Sequence, residues 1–328
     1  MHLKLSPART QHVRTGLTRP AARARAWAGL GKADSAAIYG VPFLVGLSVV
    51  PVGTWTERTV LAVTLALLGT IGLFTACVTL DDVRGYRDGS DAANYGSRDD
   101  HRGTRRKPLV SGLISPSQAR TFAYAAWVAG GLLWCASVAT APVRPVGAVA
   151  LAIGLIVFTP QYSWGLRLSH RGLGETLMAY FSVALVITLP LLVGGELSLG
   201  LVSQALLTAV WHITVSSYAN TADAQGDREV RRHTLATVLG PRRNLGYLAL
   251  LTTTDPAATT AVALCSPLPW WTVLVLAPVL CARMRQAWRF FSGNSGPLTA
   301  NTAFWRLYCL GGCALAAANM TTPALPPR

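Results

Sequence analysis

Six stretches of this chain carry no charged side chain, and each is long enough to cross a bilayer: Ala36–Thr56, Thr59–Leu80, Thr121–Val143, Pro145–Leu166, Thr176–Gly195 and Leu197–Ala222. A spanning helix needs about 20 predominantly apolar residues. In hydrocarbon a helix also satisfies its own backbone N–H and C=O groups, which an open strand does not. Between Asn244 and Ala282 the only charge is Asp255, and Ser266-Pro267-Leu268-Pro269 breaks that run into two further helices. A last span covers about Thr302–Asn319, with Arg306 in its first turns, where a long side chain can reach the interface. The pattern predicts an all-α membrane protein, a bundle of nine transmembrane helices. A transmembrane barrel would instead show segments of about 10 residues alternating in polarity.

Only 13% of the residues are charged, against about 25% in average soluble domains. The formal net charge of +15 looks like a nucleic-acid signal, but its distribution excludes that reading. If the connections are numbered alternately from the N-terminus, all Lys and Arg residues except Arg58, Arg144 and Arg328 fall on one side. This asymmetry is the positive-inside rule. It predicts a multi-pass protein of the cell membrane with a cytoplasmic N-terminus and cytoplasmic acidic loops. Residues 1–33, with Arg9, Arg14, Arg19, Arg23 and Arg25, read as a basic cytoplasmic tail or surface helix lacking the apolar core of a signal peptide. Residues 34–320 form the transmembrane domain, and 321–328 a short C-terminal tail. The six cysteines lack metal-ligand spacing and read as small core residues.

The acids are concentrated. Of 14 Asp and Glu residues, Asp81, Asp82, Asp88, Asp91, Asp99 and Asp100 fall in one connection, and Asp223, Asp227 and Glu229 in another four spans later. If the helix runs on past Leu80, then Asp81, Asp88 and Asp91 share one face, with Asp82 rotated off it by about 100°. Gly89 would loosen the geometry at Asp91. Asp223 and Asp227, four apart, also share a face. Crowded carboxylates repel one another and ask for a cation. Mg²⁺ takes oxygen ligands and commonly combines one or two carboxylates with substrate phosphates. Asp81, Asp82, Asp88, Asp91, Asp223 and Asp227 are therefore the candidate metal ligands, and all but Asp82 are also candidate catalytic residues. Lys107, Arg106 and Arg228 lie in the same connections, Arg167 in the short loop after the fourth span, and all four suit diphosphate binding, with Asn220 one turn before Asp223. Tyr162 is the aromatic candidate for stabilising a carbocation. Trp164, Tyr180, Trp211 and Tyr218 read more readily as belt or core, and His212 as a hydrogen-bonded interior histidine. Asp255-Pro256 reads as a helix-start pair rather than a catalytic acid.

With these residues in view, the chain resembles the UbiA superfamily of intramembrane prenyltransferases over about residues 34–320. Asp223-Ala224-Gln225-Gly226-Asp227-Arg228, followed by Thr234-Leu235 and Leu239-Gly240, resembles the family's D-x-x-G-D-R, T-L and L-G. Lys107-Pro108-Leu109-Val110-Ser111-Gly112 resembles R-P-L-x-S-G. Tyr162-Ser163 to Arg167-Leu168, then Arg171-Gly172-Leu173-Gly174-Glu175, resembles the loop after the fourth helix. The first motif departs from the family's N-D-x-x-D: anchoring on Gly89-Ser90-Asp91 places Asp81 at the Asn and Gly85 at the middle Asp, with Asp88 taking over that ligand from nearly a turn later. The resemblance implies a central cavity beneath the cytoplasmic loops, open sideways to lipid, and an isoprenyl tail lying along apolar helices.

Together these features predict an Mg²⁺-dependent enzyme that ionises an allylic prenyl diphosphate in the bilayer. It would pass the prenyl group to an unidentified small-molecule acceptor and release pyrophosphate. A terpene cyclase on the same scaffold, which would need no acceptor, is the runner-up. A cation-coupled transporter would place its acids near the bilayer midplane, whereas these lie at helix ends.

Overall fold

The computed structural model describes residues 19–95 and 107–321, all helix, turn and loop apart from one isolated bridge between Arg171 and His233. The helices are α1 (Arg19–Leu30), α2 (Ala37–Ser48), α3 (Glu57–Asp88), α4 (Ser90–Tyr95), α5 (Pro116–Thr140), α6 (Val146–Gln161), α7 (Gly174–Leu192), α8 (Leu199–Glu229), α9 (Leu235–Cys265), α10 (Trp271–Phe291) and α11 (Pro297–Met320). Every predicted apolar run holds one helix, and the break at Ser266–Pro269 separates α9 from α10. Helices α3, α5, α7, α8 and α9 are long and apolar enough to cross a membrane, while α2 and α6 are apolar but shorter. The chain is a multi-pass membrane protein.

The first run departs from expectation. It reaches Thr56, but α2 stops at Ser48. Pro51 disfavours helical backbone at the preceding residue, and the chain leaves as extended backbone at Pro51 before a short 3-10 turn over Val52–Thr54. Helices α3 and α8 err in the other direction. At 32 and 31 residues they are about 48 and 46 Å long, beyond the ~30 Å hydrocarbon thickness. Both overshoot at their C-terminal ends, where the two acidic motifs lie.

Small residues let the helices approach closely. An ideal Cβ on Gly72 would lie 2.8 Å from Gly130 Cα, and one on Gly130 2.8 Å from the Leu73 backbone nitrogen, so α3 and α5 pack backbone to backbone. Such contacts supply packing in lipid, where apolar burial between helices adds little. Ser137 Oγ adds a 2.7 Å hydrogen bond to the Ala62 carbonyl. The main core joins α2, α3, α5, α6, α7, α8 and α11 through residues such as Phe43, Phe74, Trp134, Phe181, Trp211 and Tyr308. Outward positions are apolar as well: Val60, Leu61 and Ile71 on α3, Val128 and Leu132 on α5, and Val273 and Leu274 on α10. The cysteines illustrate the difference from a soluble protein. Only Cys77 is buried, whereas Cys135, Cys265, Cys281 and Cys313 are exposed, against the expectation of core placement. A lipid-facing position and a core position both call for an apolar residue, and composition does not tell them apart.

A second, smaller core carries the N-terminal segment. Ala26 and Leu30 of α1 are buried against Val83, Leu109, Ile114 and Ala119. The described part of the basic tail is thus packed onto the acidic end of α3.

Asp255 has a structural partner. Its carboxylate lies 3.3 Å from Arg283 Nη1 and accepts a 2.7 Å hydrogen bond from Trp211 Nε1. The Arg283 guanidinium stacks 4.0 Å from the Trp211 ring centroid and donates 3.0 Å to the Leu307 carbonyl. One ion pair therefore joins α8, α9, α10 and α11. Removing one partner strands the other charge, at a cost of about 3–5 kcal/mol. Asp255→Ala is expected to lower the thermal melting point in detergent markedly, and Asp255→Ala with Arg283→Met to recover most of it. An Asp255→Ala protein that melts with wild type would remove this role.

Candidate active site

The first acidic motif divides at Gly89. Helix α3 carries Asp81, Asp82 and Asp88 and ends on Gly89, whose φ of 85° is the left-handed conformation a helix-terminating glycine adopts readily. Asp91 does not continue the α3 face. It opens α4 and folds back onto α3, where its carboxylate fills the space a side chain at Gly85 would take: an ideal Cβ there would lie 2.7 Å from Asp91 Cγ and Oδ1. The single-face arrangement thus holds for Asp81 and Asp88, and Asp91 joins them by a turn.

Each acid has an internal cation or donor. Asp81 accepts from Ser163 Oγ at 2.7 Å and from Arg232 Nη2 at 3.0 Å. Asp88 lies 3.1 Å from His170 Nε2 and 3.4 Å from Arg84 Nε, and its Oδ1 accepts from the Ser90 backbone N–H at 3.1 Å. Asp82, rotated off the face as expected and fully buried, lies 2.8 Å from Lys107 Nζ and 3.4 Å from Lys32 Nζ. Asp91 lies 2.7 Å from the same Lys107 nitrogen.

The second motif occupies the last two turns of α8. Asp223 is half-buried and Asp227 buried. Asn94 of α4 donates to Asp227 Oδ1 at 3.2 Å, and this bond ties the two motifs together. Arg232 closes the same junction from the next loop: its backbone N–H donates to the Asp227 carbonyl at 2.8 Å while its side chain reaches Asp81. The Arg171–His233 bridge holds the loop after α6 against this turn.

Both motifs lie at helix C-termini, where the backbone contributes about half a negative charge of its own. Carboxylates there need positive charge all the more. Burial alone would favour loss of a proton from Lys107, but Asp82 and Asp91 hold its ammonium charged well above the usual lysine range. Burial likewise opposes the charge on Arg232, and Asp81 and Asp227 outweigh it.

Over residues 39–308 the chain matches the model of the UbiA prenyltransferase family. It belongs to that family. Solved structures share its fold at low sequence identity. A UbiA homolog from Archaeoglobus fulgidus bound to DMAPP and Mg²⁺ superposes with a TM-score of 0.63 at 18% identity, covering 89% of this chain and 99% of that one. The same homolog bound to GPP and Mg²⁺ gives 0.62 at 17%, with coverage of 89% and 99%. A digeranylgeranylglyceryl phosphate synthase gives 0.60 at 12%, with coverage of 91% and 99%. No curated protein matches the chain.

The other candidate residues of this UbiA-family chain divide by exposure. Arg167 and Arg228 are exposed, free of ion pairs among the described residues and open to a ligand. Lys107 is buried, with its ammonium already shared by two carboxylates. Arg106, like Arg102 and Arg105, lies outside the described residues. Asn220 donates to Glu175 Oε1 at 2.7 Å, linking α8 to α7. Tyr162 ends α6, directly before the serine that reaches Asp81, and packs against the core. A small cleft one turn before Asp81 on α3 is lined by Tyr39, Phe74, Cys77, Trp134 and Phe181, with Thr70 and Thr159 among otherwise apolar neighbours. His212 is interior and shares a 2.7 Å hydrogen bond with Ser182, as expected. Lys32, Asn94, His170 and Arg232 are not singled out in the sequence. Asn94, His170 and Arg232 carry only the signal of proximity in sequence to the motifs or to Arg167 and Arg171, and Lys32, far from all of these in sequence, carries none.

The donor set fits a hard divalent ion. It consists of carboxylates with neighbouring amide and hydroxyl oxygens, which favour Mg²⁺ over softer metals. Among the described residues no three His, Cys, Asp or Glu side chains converge as a protein-only cage.

The Gly85 contact gives a change of sign to measure. Gly→Ala in an open helix interior stabilises by about 0.5–1 kcal/mol, and Gly246 of α9 has no atom within 4 Å of an added Cβ. Gly246→Ala is expected to raise the melting point slightly. Gly85→Ala is expected to lower it, through about 1–3 kcal/mol of overpacking against Asp91. Equal shifts in the two variants would show that Asp91 does not occupy the Gly85 space.

Proposed function

We propose that this UbiA-family chain is an Mg²⁺-dependent prenyltransferase. It ionises an allylic prenyl diphosphate within the bilayer and transfers the prenyl group to a small-molecule acceptor, releasing pyrophosphate. The observation that carries the reading is the junction of the two acidic motifs, tied by Asn94 to Asp227 and by Arg232 to Asp81, one helical turn along α3 from an aromatic cleft at Cys77. A diphosphate and its apolar tail need those two environments in contact.

In this reading Asp81 and Asp88 of α3 and Asp223 and Asp227 of α8 would hold Mg²⁺ for the diphosphate, one or two carboxylates to an ion. Mg²⁺ supplies neutralisation of the leaving pyrophosphate. Arg232 lies where negative charge would accumulate as the C–O bond breaks, and Arg167 and Arg228 are exposed to meet the outer phosphate. Ser163, His170 and Asn94 orient the carboxylates. Tyr162, Tyr39, Phe74 and Phe181 border the side where an allylic cation would form, and their rings attract positive charge and exclude water that would quench it. The Lys and Arg asymmetry supports nine crossings, with the N-terminus and the acidic end in the cytoplasm and the plasma membrane as the site of action.

The test uses purified protein in detergent with Mg²⁺ and dimethylallyl, geranyl, farnesyl or geranylgeranyl diphosphate, each supplied alone and then with candidate aromatic, quinone-precursor and sugar-phosphate acceptors. Acceptor-dependent pyrophosphate release is expected, and Asp223→Ala is expected to reduce it at least ~100-fold while the variant stays folded. Acceptor-free release of a cyclic terpene would make the enzyme a cyclase. Full activity in Asp223→Ala would remove the metal-site assignment.

A further inference from the structure

We propose that Lys107 is a built-in cation that withdraws Asp82 and Asp91 from metal binding, so that this acidic end takes at least one divalent ion fewer than its six aspartates suggest. The proposal rests on the metal reading of the preceding subsection and refines it.

The geometry is that of a closed lock. One ammonium lies 2.8 Å from Asp82 Oδ1 and 2.7 Å from Asp91 Oδ1, with the Tyr95 ring centroid 4.9 Å from the same nitrogen. Its three N–H donors are thus directed at two carboxylates and towards an aromatic face. Lys32 adds a second cation 3.4 Å from Asp82. Two carboxylates facing two ammonium groups are neutral as a set. Asp82 is fully buried and Asp91 is 5% exposed, and the second oxygen of each is sealed from solvent and has no hydrogen-bond partner. A Mg²⁺ ion keeps several waters, and to reach either carboxylate it would have to displace Lys107.

The sequence contains the device that builds the lock. Residue 85 is glycine, and the carboxylate of Asp91 occupies the volume its side chain would fill. Gly89 turns the chain so that Asp91 can fold back. Lys107 then bridges Asp91 to Asp82, joining α4 to α3. Lys107 is accordingly a positioning residue. It holds α4, and with it Asn94 and the bond to Asp227, in register with α3.

The test counts metal rather than turnover. Mn²⁺ stands in for Mg²⁺, with inorganic pyrophosphate present, and bound ion per protein is read by equilibrium dialysis and electron paramagnetic resonance. Asp82→Asn/Asp91→Asn/Lys107→Met removes all three charged partners at once and is expected to bind as many Mn²⁺ as wild type. Lys107→Met alone frees two carboxylates and is expected to bind one more. A triple variant that loses an ion overturns the proposal, because Asp82 or Asp91 would then be a ligand. An unchanged count in a folded Lys107→Met protein also overturns it, and if that variant does not fold the triple variant decides. Wild-type protein that holds no Mn²⁺ with pyrophosphate overturns the metal reading instead. The lock is then judged by melting: Lys107→Met is expected to melt below the triple variant, and equal melting overturns it.

Discussion

A carboxylate buried at the end of a helix bundle has to be neutralised on the spot, because burial in the protein keeps water and salt from screening it. The acidic end of this protein is arranged around that constraint. Helices α3 and α8 are longer than the bilayer requires, and the excess carries the carboxylates out of hydrocarbon at their C-terminal ends. The helix dipoles there deepen the negative potential. Arg232, Lys107, Lys32, Arg84 and His170 converge from five separate segments to meet it. The loops are shaped by the need to deliver those side chains. The left-handed Arg231 backbone immediately precedes Arg232, and the turn that follows is pinned by Thr237 Oγ1 donating to the Arg232 carbonyl.

Most of the bundle could be read from runs of uncharged residues, because a helix in hydrocarbon must be apolar for about 20 residues whatever it packs against. That rule locates helices without orienting them, hence the exposed cysteines expected in the core. It also overruns where proline intervenes: nothing in the apolarity of Val49-Val50-Pro51-Val52 marks the end of α2 except the proline itself. The overshoot of α3 past Leu80 was legible only as a condition, since a helix that leaves hydrocarbon is no longer obliged to continue.

The site was legible in its acids and much less so in its bases. Six aspartates in a chain with few acids stand out by spacing alone. A guanidinium that reaches Asp81 from a loop 151 positions away does not. Lys107 stood out as a basic residue, but its two partners come together only because Gly85 leaves space and Gly89 turns the chain. The buried Asp255–Arg283 pair makes the same point within the membrane. The acid read as a helix start, and its partner, 28 positions on, had no visible link to it.

Lys32, two residues beyond the end of α1, reaches the same carboxylate as Lys107, and α1 itself is packed onto Val83 and Leu109. The start of the chain is therefore mechanically part of the acidic end. A load applied to residues before Arg19, whether a fused domain, a cleavage event or a surface that captures basic segments, is transmitted through one short helix to the base of the first acidic motif. The N-terminal segment is in this sense a handle on the site.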